Sequence, residues 1–221
     1  KAVRTHVETH LGKIREVLPG DAPDLQMLVA EEAGTGRLRL VTQGMSSQAM
    51  QAQAQGGGTK PLHCELMFTL PPGKAAEWAR MALVALARYP FANKTFFFDG
   101  HSLKNDRIVP GYPYDGFLFG PSVTSPPEFW LGNFGRKTVL FLSVYPLYAD
   151  EMAFMLQHGR DQVLRQFQRH GITDMAPDHR FNTCDSAALK SELCIEQAAA
   201  SQDKTLIIKK LHEGAHLLAV K

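Results

Sequence analysis

Val139–Tyr148 reads VLFLSVYPLY, a run in which Ser143 is the one small hydroxyl among aliphatic, aromatic and proline residues. A segment this apolar offers no face to water. It reads as a strand over Thr138–Tyr145 at the middle of a sheet covered on both sides. Asp150 and Glu151 follow directly, and the apolar spacing of Met152, Met155, Leu156, Val163, Leu164 and Phe167 predicts a long helix over Leu147–Gly171.

Working outward, Glu65–Gly73 reads ELMFTLPPG and closes a strand over Leu62–Leu70. The double proline ends that strand and positions a helix over Lys74–Arg88. Leu25–Glu32 and Arg37–Gln43 read as strands joined by a glycine-containing turn at Ala33–Gly36. Gly44 follows the second of them, where a chain reversal or bulge is expected. At the start, Val7, Leu11, Ile14 and Leu18 fall at helical spacing, which predicts one helix over Val3–Leu18, ended by Pro19–Gly20. Gln48–Pro61 is Gln/Ala-rich with a Gly56–Gly58 run and reads as a flexible loop. Thr95–Phe98 is a short aromatic strand. Asn105–Pro127 is irregular around a strand at Gly116–Gly120. In the tail, Ser186–Ala200 is helix-prone, and Thr205–Leu211 with Leu217–Val220 reads as a hairpin.

These elements predict an α+β domain, a central and mostly antiparallel sheet flanked by about three helices. Residues 1–185 form that domain, and 186–221 form an extension of helix plus hairpin packed on it. The 221 residues suffice to bury a sizeable core. The net charge of +2 comes from mixed signs along the chain, which argues against a nucleic-acid partner. No apolar run approaches the ~20 residues needed to cross a bilayer. Three cysteines and no signal peptide favour a reducing cytoplasm.

Candidate chemistry is sparse. His212-Glu213-Gly214-Ala215-His216 matches H-E-x-x-H, which on a helix sets two imidazoles and a general base on one face. A metal-dependent hydrolase using His212, Glu213 and His216 is therefore an alternative reading. Gly214 inside the motif, strand-like flanks and the few residues left for a third ligand argue against it. His6 and His10 share one helix face, where solvent is the plainer account. His101 at the end of a strand could serve as acid or base, but no nucleophile or orienting carboxylate is spaced to join it. Ser46 and Ser122 lack the G-x-S-x-G elbow, and Gly56–Lys60 is not a phosphate loop. The aromatics from Phe96 to Phe134 read either as core with loop anchors or as a hydrophobic binding surface.

The order of the short segments resembles the suppressor-of-fused-like (SUFU) domain family, in its bacterial single-domain form. The resemblance runs from about His6 to Arg180. It rests on His10-Leu11-Gly12, Leu40–Ser46 ending in T-x-G-M-S, Glu65–Pro71, the helix with Trp78, Leu86, Ala87 and Tyr89, the turn Gly100-His101-Ser102, and Tyr145–Leu147 with Tyr148 and Glu151. It implies a non-enzymatic domain that binds another protein, such as a toxin neutralised by an immunity protein or a regulatory partner. It implies no cofactor and no metal. A structural oligomer subunit is a further alternative. The contact residues expected are Thr42, Ser46, Asp99, His101, Tyr112, Tyr114 and Phe117, at strand ends where loops gather. Protein purified without tag or added metal is expected to carry no zinc at His212 and His216; elemental analysis showing one zinc per chain, lost in His212→Ala, would reverse that reading.

Overall fold

The computed structural model describes residues 1–53, 59–73, 77–106, 108–109, 112 and 114–184. The H-E-x-x-H segment, the tail helix and the tail hairpin fall outside them. The elements run α1 (Ala2–Leu11), β1 (Lys13–Pro19), β2 (Gln26–Glu31), β3 (Leu38–Gln43), a 3-10 turn (Met45–Ser47), β4 (Met50–Gln53), β5 (Thr59–Leu70), α2 (Glu77–Ala92), β6 (Ser102–Lys104) and β7 (Gly116–Gly120). A second 3-10 turn (Pro127–Trp130), β8 (Leu131–Phe134), β9 (Lys137–Leu147), α3 (Ala149–His158) and α4 (Arg160–Arg169) complete them.

Nine strands make one mixed sheet, ordered β1-β2-β3-β5-β9-β7-β6, with β4 added to β5 and β8 to β9. The fold is α+β, as the pattern of strands and helices predicts. Neighbours pair antiparallel except β5 and β9, which run parallel from His63↔Val139 to Met67↔Ser143. Parallel neighbours require a crossover, and α2 with β6 to β8 fills it.

The alternation of β9 sorts the core. Leu140, Leu142 and Val144 point to the face covered by α2, with Leu66, Phe68, Leu83 and Leu86. Val139 and Phe141 point the other way, under α1, with Val7, Leu11 and Phe129. Tyr145 and Leu147 share that second face with Met152, Met155, Val163 and Phe167 of α3 and α4. Both faces of β9 are thus covered, which is why its sequence is almost wholly apolar.

Four expectations change. The opening helix stops at Leu11. Gly12 takes a positive φ of 112° with its Cα hard against the Glu31 carbonyl, where a Cβ would lie 2.5 Å from the oxygen. The apolar residues after it belong to a strand. A bulge between Ile14 and Glu16 re-phases β1, so Ile14 drops into the α1 core and Leu18 onto the α2 side. The long third helix is two helices, because Gly159 (φ 87°) breaks it. Thr95–Phe98 carries no strand pairing and packs as an irregular aromatic segment. Part of the Gln48–Pro61 loop is strand, with Met50–Gln53 pairing onto β5.

Phe141 is 1% exposed and lies against His6, Phe129 and Phe134. Its truncation, Phe141→Ala, is expected to cost ~3–5 kcal/mol, read as a lower denaturant midpoint; an unchanged midpoint would contradict the position of β9.

Candidate functional site

A sheet buried on both faces must satisfy every polar side chain it carries. Three such networks form here. On the second face, Arg39 of β3 is in register with Thr69 of β5. The Arg39 guanidinium donates to the Thr69 hydroxyl, and to the Thr124 hydroxyl (2.7 Å) and carbonyl (2.8 Å). Both hydroxyls then donate to Asp174, as does Ser143 of β9 (2.8 Å). This polar seam lies between the α1 core and the α3–α4 core. It draws in the segment after α4, where Ala176 N donates to Thr69 O at 2.7 Å.

The second network ties the segment after Asp178 to α3. Arg180, with its side chain 7% exposed, forms two bonds to the fully buried Glu151 carboxylate, at 2.6 and 2.5 Å. Glu151 also accepts from Thr183 N and Oγ1 and from Tyr148 N. The guanidinium stacks on Tyr114, Tyr148 and Phe167.

The third network is a single carboxylate without a cation. Glu65 of β5 is fully buried and accepts from Thr42 Oγ1 (2.6 Å), Gly44 N (3.1 Å) and Ser46 N (3.0 Å). Burial pushes its carboxyl above the usual carboxylate range, outweighing the bonds from Thr42, Ser46 and Gly44 that favour the ionised form. Glu65 therefore fixes the turn at Gly44–Ser47. The Ser46 carbonyl of that turn is held from the other side by His63 (2.9 Å) and Lys137.

These networks place the expected contact residues. Thr42 is buried and serves Glu65, donating to it while accepting from Leu66 N at 2.8 Å. Ser46 is buried and serves Glu65 through both its side chain and its backbone N–H. Tyr112, Tyr114 and Phe117 are core residues, not surface ones. Phe117 is fully buried on the α2 face and stacks with Tyr112, with ring centroids 4.9 Å apart. Tyr114 donates to the Pro177 carbonyl at 2.7 Å. Phe117 is buried because β7 is an inner strand between β9 and β6, with both faces covered; Tyr112 and Tyr114 precede β7 and are buried against Trp78 of α2 and Tyr148, respectively.

Asp99 and His101 do reach the surface. Gly100 N donates to Phe119 O and Phe119 N to His101 O, both at 2.9 Å, so the turn is pinned to β7. His101 packs on Phe96, and its Nδ1 lies 3.2 Å from the Phe96 carbonyl. Asp99 pairs with Arg160 at the start of α4 (2.5 Å). Beside them Phe98 is 44% exposed. Two hollows meet at His101, one of about 420 Å³ walled by Tyr89, Phe96 and Leu103, the other of about 510 Å³ walled by His158, Arg160 and Arg165. Phe98 belongs to the aromatic cluster read from the sequence as core or binding surface, whereas His158 and Arg160 were not singled out there, because each joins Asp99 and His101 only through the fold.

Among the described residues no group of three or more His, Cys, Asp or Glu side chains comes together as a metal-ligand set. Among them, too, no helix is long and apolar enough to cross a membrane.

The sequence matches the family model described as suppressor of fused protein (SUFU) over residues 21–180. Among solved structures, a chain of the Sufu-Fu complex crystal structure aligns at 14% identity with a TM-score of 0.61, covering 90% of this chain and 94% of that one. Drosophila Suppressor of Fused aligns at 16% identity with a TM-score of 0.51 over 85% of this chain and 44% of that one. At these identities the likeness is one of fold. No curated protein matches the sequence.

Glu65 gives a pH signature with a definite sign. Its folded carboxyl holds a proton more tightly than the unfolded one, so its ionisation costs stability at neutral pH. That cost is relieved as the pH falls through the raised value toward the ordinary one near 4.5. The stability of wild type relative to Glu65→Gln is expected to rise from pH 7 to pH 5, measured by urea midpoints; a difference that stays flat would remove the ionised carboxylate from the account.

Proposed function

The chain belongs to the suppressor of fused family, and from that membership we propose that it is a non-enzymatic protein-binding domain whose partner is a toxin-like or regulatory protein. The observation that carries this reading is the division of labour among its polar groups. Arg39, Asp174, Glu65, Glu151 and Arg180 are tied into hydrogen bonds that hold the sheet, the turns and the segment after α4. Among the groups left open to solvent near strand ends, Phe98, His101 and the Asp99–Arg160 pair lie together, an aromatic anchor rimmed by charge. One of the solved structures that share this fold is that of a complex, Sufu-Fu. That describes the relative, and it supports a binding role here by analogy of fold.

The Gly100-His101-Ser102 turn suits such a surface. It is fixed to β7 through backbone bonds, so its side chains are presented without the entropy cost of ordering a loop on binding. Among the described residues Cys64 and Cys184 are buried free thiols, as suits a reducing cytoplasm.

The test uses the host that carries the gene. Tagged wild type and a Phe98→Ala, His101→Ala double variant are compared for recovery of one defined partner, with circular dichroism confirming that both fold. The variant is expected to bind about tenfold more weakly or worse. Equal affinity from a folded variant would move the binding surface elsewhere, and turnover of a substrate by the pure chain would overturn the non-enzymatic reading.

A further inference from the structure

A separate cleft of about 340 Å³ lies between the Gly44–Ser47 turn and the C-terminal end of α2. Its apolar lining includes Leu25, Met45, Ala87 and Phe91. Its walls are fixed. Glu65 holds the turn through Gly44 N and Ser46 N. Gly44 itself lies so close to the chain at Asp24 that a Cβ would fall 1.9 Å from the Asp24 carbonyl oxygen. Met45 is buried against Cys64 beneath the turn, with the two sulfurs 3.9 Å apart. The cleft is therefore preformed, and a buried carboxylate is committed to shaping one side of it.

The charges at its mouth are unbalanced. Arg88 is paired with Asp21 at 2.8 Å. Asp24 also lines the cleft, is exposed, and has no pairing partner among the described residues. The last turn of α2 contains no basic residue, so no charged side chain within that turn offsets the partial negative charge of its carbonyl end. Lys94, just past that end, does not line the cleft. An apolar floor with a negative mouth is complementary to a side chain that is aliphatic along its stem and cationic at its tip.

We propose that this cleft receives a lysine or arginine side chain of the protein partner, with its stem along Leu25, Met45 and Phe91 and its charge at Asp24 and the C-terminal end of α2. The proposal rests on the protein-binding reading but uses a surface distinct from the Asp99–Ser102 turn. It makes basic residues in the partner a determinant of recognition.

The test needs no knowledge of the partner. Blocked tripeptides Ac-Ala-Lys-Ala-NH₂, Ac-Ala-Arg-Ala-NH₂ and Ac-Ala-Nle-Ala-NH₂ are titrated at millimolar concentration into ¹⁵N-labelled full-length protein. The lysine or the arginine peptide is expected to shift the amides of Leu25, Gly44–Gln48, Ala87–Tyr89, Phe91 and Ala92 in a saturable way. The norleucine peptide, of matching stem and no charge, is expected to bind roughly three- to fivefold more weakly. Asp24→Asn is expected to abolish that preference while leaving the spectrum otherwise unchanged. No shifts at these amides, or equal shifts from cationic and neutral peptides, would overturn the proposal. Because the readout involves no partner, a negative result here leaves the protein-binding reading to be judged by partner recovery. Loss of partner binding in Phe98→Ala, His101→Ala together with retained peptide binding would separate the two surfaces.

Discussion

The parallel pair β5–β9 at the centre of the sheet is the constraint from which the rest follows. Both strands are covered on both faces, so a polar side chain on either has no water to turn to. Glu65, Thr69 and Ser143 are the polar positions concerned, and each is satisfied by groups drawn in from other parts of the chain. Their demand for partners explains features remote from them. The Gly44–Ser47 turn folds down to Glu65. The loop at Thr124 and the segment at Asp174 fold in to Thr69 and Ser143. A network of this kind is weak evidence for raw stability, because desolvation offsets much of its gain. Its effect is to allow one arrangement of loops over the sheet and to penalise others.

The two ion-pair systems differ in character. Arg180–Glu151 is compact, with both carboxylate oxygens engaged and three aromatic rings around the guanidinium. It closes α3 against the segment that follows α4. Arg39 is instead shared among hydroxyls, a carbonyl and a distant Glu32 (3.5 Å), and burial lowers its affinity for a proton despite Asp174 nearby. The first system acts as a clamp, while the second is a spacer that keeps the α1 core and the α3–α4 core apart on one face.

Surface features then have a structural origin. The turn at Gly100-His101 projects because β7 beneath it holds the backbone on both sides. The cleft beside α2 stays open because Gly44 and Glu65 hold its opposite wall in place. Both lie where loops meet the rigid sheet, the usual location for recognition.

Much of the fold was legible in the sequence, since period and punctuation are local properties. VLFLSVYPLY announces a strand with two buried faces, and ELMFTLPPG ends a strand on a residue pair that cannot continue it. The family resemblance rests on the same local segments. Where local signals were ambiguous, tertiary contact decided. Val7, Leu11, Ile14 and Leu18 have helical spacing, yet Gly12 packed on Glu31 and the pairing of β1 with β2 convert the second half to strand. Of the expected contact residues, Asp99 and His101 are at the surface. Tyr112, Tyr114 and Phe117 are buried: Phe117 because β7 is an inner strand, which only the strand order reveals, and the two tyrosines because α2 and Tyr148 pack on them. The buried roles of Arg39, Glu65 and Asp174 are invisible in one dimension. Apart from Glu32, close in sequence to Arg39, their partners lie 19 to 105 residues away in sequence, and hydrogen-bond satisfaction is a property of where the chain returns, not of the residue alone.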